Sequence, residues 1–537
     1  MKFTLMIIIA VFAGQSVARA DEKATISSAQ QAARKIDAFL ESHWKTAEIH
    51  SAPVARDAAF LRRITLDLAG RVPTSREVVR FLSDESADKR QHLIERLVDG
   101  PEFPLHFGNV LDQMIQGRHA GNKDFVDYLR KSVRKQKSWD VLFREMMIGP
   151  WDGDGQKIAN RFIDKRAKNL DSLTVDATRV FFGVDISCAK CHDHPLVDDW
   201  KQDHFYGMAS FFNRTTGGKG KVGEKKDGEV KFLGADGKEK TAKVMFLSGL
   251  VVEVSPGDDP PRKQTGDNNK PAHISRRQQL VTVALKERVF FSRSFVNRMW
   301  EYFFGSGLVD PVDQIHSGNA PAVDGLLQWL AEDFAASGYD IQRLMAAIVS
   351  TRAYGLSSQW PDDSTIPAET TFAVARLRPL TRRQLALSLL LVTGAGDYDS
   401  SDDETQRVER YLGVNGIGKI QKYLAFESQT TALIRAFDSR NREFQSSASE
   451  ALFMSNNEAV QKLVRAEGDN LTARLSRMSS SKQIVEAAVK SVFSRPPRDS
   501  EGSQLVEWFD QQHGDRSDVC ARLVWALVTS AEFRFNH

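Results

Sequence analysis

One spacing restricts the fold more than any other feature. From residue 29 onward, apolar side chains recur three and four positions apart, the period of an amphipathic α-helix. Ala29, Ala32, Ala33, Ile36, Phe39 and Leu40 set the pattern. Phe60, Leu61, Ile64 and Leu68 repeat it, with Gly70 as a stop. Thr74 followed by Glu77 makes a capping box for the next helix. Another helix is predicted from about Lys89 to Val98, ended by Gly100-Pro101. After residue 275 the period returns. Arg276 to Phe304 carries one long apolar face and closes at Gly305-Ser306-Gly307. Pro321 opens a helix through Leu326, Leu327, Leu330 and Phe334, and Ile341, Leu344, Met345 and Ile348 follow. The pattern predicts a mainly α, multi-helical two-domain protein with a small β-hairpin insertion.

The insertion is read from a change of composition. Gly217 to Lys243 holds seven glycines and eight lysines. Val230 and Phe232, then Val244, Phe246, Val251, Val252 and Val254, suggest strands, with Asp236-Gly237 as a hairpin turn. Pro256, Pro260, Pro261 and Pro271 mark a linker. The expected order is a signal peptide over 1–20, a helical domain over 21–214, the insertion and linker over 215–272, and a second helical domain over 273–537. The signal peptide rests on Lys2, the short apolar run Phe3 to Ala13 and the cleavage pattern Ala18-Arg19-Ala20. An exported chain beginning near Asp21, in the periplasm or at the cell surface, is the expectation. No later stretch is apolar enough to span a bilayer.

The chemistry concentrates in Val184-Asp185-Ile186-Ser187-Cys188-Ala189-Lys190-Cys191-His192-Asp193-His194-Pro195. Cys-x-x-Cys-His is the attachment pattern of haem c. Each thiol adds to a haem vinyl group to give a thioether, and the adjoining histidine, here His192, ligates the iron. Three other readings use the same residues. Cys188 and Cys191 can be a redox dithiol. They can join His192, His194 or His204 around zinc or another transition metal. They can form a structural disulfide. In the haem reading His204 or Met208 is a candidate second axial ligand, since histidine and methionine both serve there. The bland reading of His204 is a polar residue on a helix end, and Phe205, Phe211 and Phe212 beside it read as core.

The formal net charge is +3, and +1 once Lys2 and Arg19 are removed, so there is no electrostatic case for nucleic acid or an acidic membrane. Three cysteines are too few for a disulfide framework, and Cys520, in the apolar run Val519 to Val528, reads as a buried apolar residue. Arg376, Arg378, Arg382 and Arg383 read as salt-bridging partners of other helices rather than as an anion clamp.

Two long matches identify a family resemblance. Asp57 to Thr74, and Cys188 to Trp200 continuing through Phe212, resemble the planctomycete cytochrome-type domain of unknown function. Val296 to Trp300, Phe304 to Asp313, Leu330 to Phe334, Ser350 to Tyr354, Arg382-Arg383 and Trp525 to Phe533 resemble its usual partner, a planctomycete-specific C-terminal domain of unknown function. The resemblance implies a large secreted protein with a cytochrome-like name and no assigned activity. The chain departs from the pattern at Leu196-Val197-Asp198, where the family more often has phenylalanine directly after the proline.

Three functions follow as expectations. The first is a mono-haem redox or electron-transfer protein working with a redox partner protein. The second is a metal- or carboxylate-dependent enzyme on extracellular polysaccharide, drawing on Asp193, His194, Asp198, Asp199 and Asp203. The third is a non-catalytic binding or scaffold protein of the cell surface.

Overall fold

The computed structural model describes residues 28–149, 158–253 apart from 196, 219, 221, 226, 235 and 236, then 275–361, 365–394, 458–537, and a few positions between 424 and 434. The signal-peptide and proline-linker readings fall outside the described residues, as do Asp236 and Val254. The described chain is mainly α-helical with small two-stranded antiparallel sheets. It forms two compact units built from interleaved segments. One takes residues up to 49, 108–351 and 368–372; the other takes 50–107, 352–367 and 373–537.

In the first unit the helix Val289–Phe304 packs against Leu326–Ala336 and Leu170–Phe182. Its buried face is aromatic. Trp139 stacks on Phe295 at 4.4 Å between ring centroids, and Phe143 meets Phe291 at 4.8 Å and Phe181 at 5.0 Å. Each such ring removes well over 100 Å² from water, so this cluster dominates the unit's stability. Side-chain caps set where the helices begin. Asn169 accepts from the Ser172 amide at 2.9 Å, Asp340 from Arg343 at 3.0 Å and Ser275 from Gln278 at 3.3 Å.

Three sequence expectations are corrected here. The apolar face from Arg276 to Phe304 is two helices, Arg276–Glu287 and Val289–Phe304, broken at Arg288 with φ 62°. The break re-aims the second helix so that Phe291, Phe295 and Phe303 are all buried. The helix after Pro321 starts only at Leu326, behind Gly325 at φ 72°. In the insertion, Lys231–Leu233 pairs with Glu239–Thr241 as a hairpin, whose turn uses Gly237 at φ 72°. Val244 and Phe246 join no strand; that stretch carries an isolated bridge, Met245 to Val251, with backbone bonds from Phe246 to Leu250 at 2.9 Å and from Val252 to Val244 at 2.8 Å.

The second unit packs Asp57–Ala69, Arg382–Gly394, Ser481–Phe493 and Arg516–Thr529 around one apolar core that includes Leu66, Leu389, Val489, Cys520 and Val524. Gly70 ends the first of these helices at φ 73°, and Thr74 with Glu77 closes the expected capping box at 3.2 and 2.8 Å. Cys520 is fully buried, and burial pushes its thiol up to about 11. Arg378 bonds Asp67 at 2.6 Å and Arg383 pairs with Glu427, as the salt-bridge reading expects.

Candidate functional site

The site begins at the end of the helix Leu170–Phe182. Gly183 closes it at φ 67°, and a Cβ there would lie 2.7 Å from Ile315 Cδ1. The chain then runs beside residues 314–315, through a bridge from Val184 to Gln314 and a hydrogen bond from the Ile315 amide to the Gly183 carbonyl at 3.0 Å. Asp185 is clamped by Arg179 and accepts from the Ser187 amide at 2.9 Å. Burial opposes its ionisation, but these bonds outweigh it and hold the carboxyl below the ordinary range. They also start the next turn.

That turn, Ser187–Lys190, is a 3₁₀-helix with Cys191 at its end. Three residues per turn put positions three apart on one side. Ile186 and Ala189 accordingly point inward and are both 0% exposed, whereas Cys188 and Cys191 are both exposed. The two thiols are free and share one face. His192 follows on the surface. Its Nδ1 lies 2.7 Å from the Asp193 carbonyl oxygen. A carbonyl only accepts, so Nδ1 carries the proton of this bond, and in the neutral ring Nε2 is the nitrogen with the lone pair.

Beyond the motif the chain doubles back. The His194 amide donates to the Trp200 carbonyl at 2.7 Å, and the Gln202 amide to Asp193 Oδ1 at 3.0 Å. The side chain of Gln202 is buried, and its Nε2 lies 3.3 Å from the Lys190 carbonyl, 3.1 Å from that of Cys191 and 3.3 Å from that of Leu233. One amide group therefore ties the cysteine turn, the helix Gln202–Ala209 and the hairpin together. Tyr206 stacking on Phe232 at 4.2 Å makes a second tie to the hairpin.

The candidate ligands differ in what they present. His204 Nδ1 accepts from the Lys201 amide at 3.1 Å, so its Nε2 carries the proton. Burial lowers its imidazole below the ordinary value, against the pull of Asp203. Met208 is fully buried on the same helix. His194 is half-buried. Among the carboxylates, Asp199 accepts from the Ser317 amide at 2.7 Å and from its hydroxyl at 2.5 Å. Those bonds overcome the cost of burial and hold Asp199 below the ordinary carboxyl range. Among the described residues, no three histidine, cysteine, aspartate or glutamate side chains converge as a metal-ion site.

Residues 35–217 match the PSCyt2 family model, described as a protein of unknown function (DUF1549), and residues 276–509 match the PSD1 model, described as a protein of unknown function (DUF1553). The chain carries the PSCyt2 and PSD1 domains in tandem. No curated protein and no solved structure matches it. The cysteine motif lies inside the PSCyt2 domain. The compact units do not follow the two family matches, since PSCyt2 residues 50–107 belong to the second unit and PSD1 residues 276–351 to the first.

Sequence reasoning singled out the two thiols and His192. It missed Gln202, the Arg179–Asp185 clamp and Ser317. No local signal marks them, because each works through a partner that only folding brings near.

Proposed function

We propose that this PSCyt2–PSD1 chain is an exported mono-haem c-type electron-transfer protein, with haem c carried on Cys188 and Cys191 and His192 as the axial ligand. The observation that carries this reading is the hydrogen bond from His192 Nδ1–H to the Asp193 carbonyl, beside two exposed free thiols on one face. Ligating histidines characteristically donate their other ring N–H in this way, which fixes the tautomer and the ring orientation. The donor set fits thioether attachment better than zinc, which demands four converging ligands. Bound haem would supply one-electron chemistry. The chain's own part is to hold the two thiols side by side, orient the His192 ring through its Nδ1–H bond, and anchor the turn through Gln202 and Asp185.

His204 fits the role of a second axial ligand less well, because its Nε2 presents a proton and not a lone pair. The test is a visible spectrum of protein matured in a host that makes c-type cytochromes, beside the double variant Cys188→Ser, Cys191→Ser. The expected result is a haem spectrum that survives acid–organic extraction in the wild type and vanishes in the variant. A colourless wild type holding one zinc per chain would replace this reading with the zinc site, and covalent haem on the double variant would refute the attachment residues.

A further inference from the structure

The cysteine turn lies in the PSCyt2 match, yet residues of the PSD1 match hold the chain on both sides of it. All of them belong to the first compact unit. Before the turn, Asp313 Oδ2 lies 3.8 Å from Arg179 Nε, on the guanidinium that also clamps Asp185. Gln314 bridges to Val184, and the Ile315 amide donates to the Gly183 carbonyl at 3.0 Å. After the turn, both oxygens of Asp199 accept from Ser317, Oδ2 from the amide at 2.7 Å and Oδ1 from the hydroxyl at 2.5 Å. Gly318 packs beside Val197, where a Cβ would lie 3.1 Å from Val197 Cγ1.

The holding segment has a scaffold of its own. The Gln314 amide donates to the Pro311 carbonyl at 3.0 Å and the Asn319 amide to the His316 carbonyl at 3.0 Å. The Asn319 side-chain amide reaches the Gln314 carbonyl at 3.1 Å. The cysteine turn has less. Ser187–Lys190 is one short 3₁₀ turn, a geometry with weak hydrogen bonds. Its backbone is held by the Ser187 amide on Asp185 at 2.9 Å and the Ala189 amide on the Ile186 carbonyl at 3.0 Å. Pinning both ends of a loop restricts the conformations open to the residues between them. Residues 313–318 pin the stretch that carries Cys188, Cys191 and His192 in this way, at Gly183–Asp185 and again at Asp199.

We propose that residues 313–318 of the PSD1 match are a clamp that positions the cysteine turn, with Ser317 and Asp199 as positioning residues, so that the two matched domains build the site jointly. The clamp stands on these contacts, while its bearing on the cofactor rests on the haem reading. The test is amide hydrogen exchange on the full chain, with Ser317→Ala, Ser317→Thr and Asp199→Ala beside the wild type. The amides of Ser187, Ala189 and His194 are expected to exchange about fivefold faster or more in Ser317→Ala and about tenfold faster or more in Asp199→Ala. Ser317→Thr keeps the hydroxyl and the amide and is expected to match the wild type. Amides that exchange by local opening respond only to contacts that open with them. Turn amides at the wild-type rate in both alanine variants, with only the slowest helix amides accelerated, would make the contact general stabilisation and overturn the clamp. Circular dichroism identifies a variant that fails to fold, and Ser317→Ala, which removes one hydroxyl, decides alone where Asp199→Ala does. In haem-loaded protein Ser317→Ala is expected to shift the haem midpoint potential, with Ser317→Thr restoring it. An unshifted potential in both alanine variants overturns the bearing on the cofactor. A wild type without haem refutes the haem reading, and the exchange rates still decide the clamp.

Discussion

Nδ1 of His192 lies 2.7 Å from a carbonyl oxygen, whereas Nδ1 of His204 lies 3.1 Å from an amide nitrogen. The two bonds fix opposite tautomers, and so opposite chemistry, at Nε2. No sequence signal carries this difference, because it depends on which backbone group each ring meets after folding. It is measurable. His204 is pushed below its ordinary value of 6.5, with burial the leading cause. A depressed base favours the neutral fold: its bond from the Lys201 amide is intact above pH 6.5 and lost as pH falls through the folded value. Titration of the His204 ring followed by NMR is expected to give a midpoint below 6.5, with the Lys201 amide shifting at the same pH. A midpoint at or above 6.5 contradicts the capping role.

At the scale of elements, the motif depends on a helix that stops at one residue and a turn that exposes every third position. Gly183 holds φ 67°, a region that costs L-residues about 1–2 kcal/mol, and a Cβ there would force the Ile315 terminal methyl to shift. Gly183→Ala is expected to destabilise the protein by about 2–4 kcal/mol in urea unfolding, strain and overpacking together. A change under about 0.5 kcal/mol would mean that the helix end is not constrained there. The helix starts and stops were largely legible in the sequence, since Thr74, Glu77 and Gly70 act through neighbours three and four residues away. The break at Arg288 was not legible. Nothing in the apolar period marks it; burial of Phe291 and Phe295 against distant helices decides it. The three-residue spacing singled out the two thiols, but neither their exposure nor the buried amide of Gln202 beside them was legible.

At the scale of the whole molecule, the mainly helical fold was readable from the sequence, but the interleaving of segments into compact units was not. It depends on pairings across hundreds of residues. Asp67 is the plainest case. This carboxylate is 1% exposed and accepts from Tyr354 Oη at 2.8 Å, Arg378 at 2.6 Å and Asn536 at 2.8 Å, all within the second unit. Asp67→Ala removes the negative charge that buried Tyr354 and Asn536 share with the partly exposed Arg378, and is expected to cost about 3–5 kcal/mol in urea unfolding. Asp67→Asn, which keeps the shape, is expected to cost less. Equal losses in the two variants would mean that shape, not charge, holds the group together.

One mass tests the proposed attachment of haem to Cys188 and Cys191. The intact mass of the protein purified from its native host, after denaturation, is predicted to exceed that of the processed polypeptide by one haem, with the added mass on the peptide that contains Cys188 and Cys191. An intact mass equal to that of the bare polypeptide would contradict it.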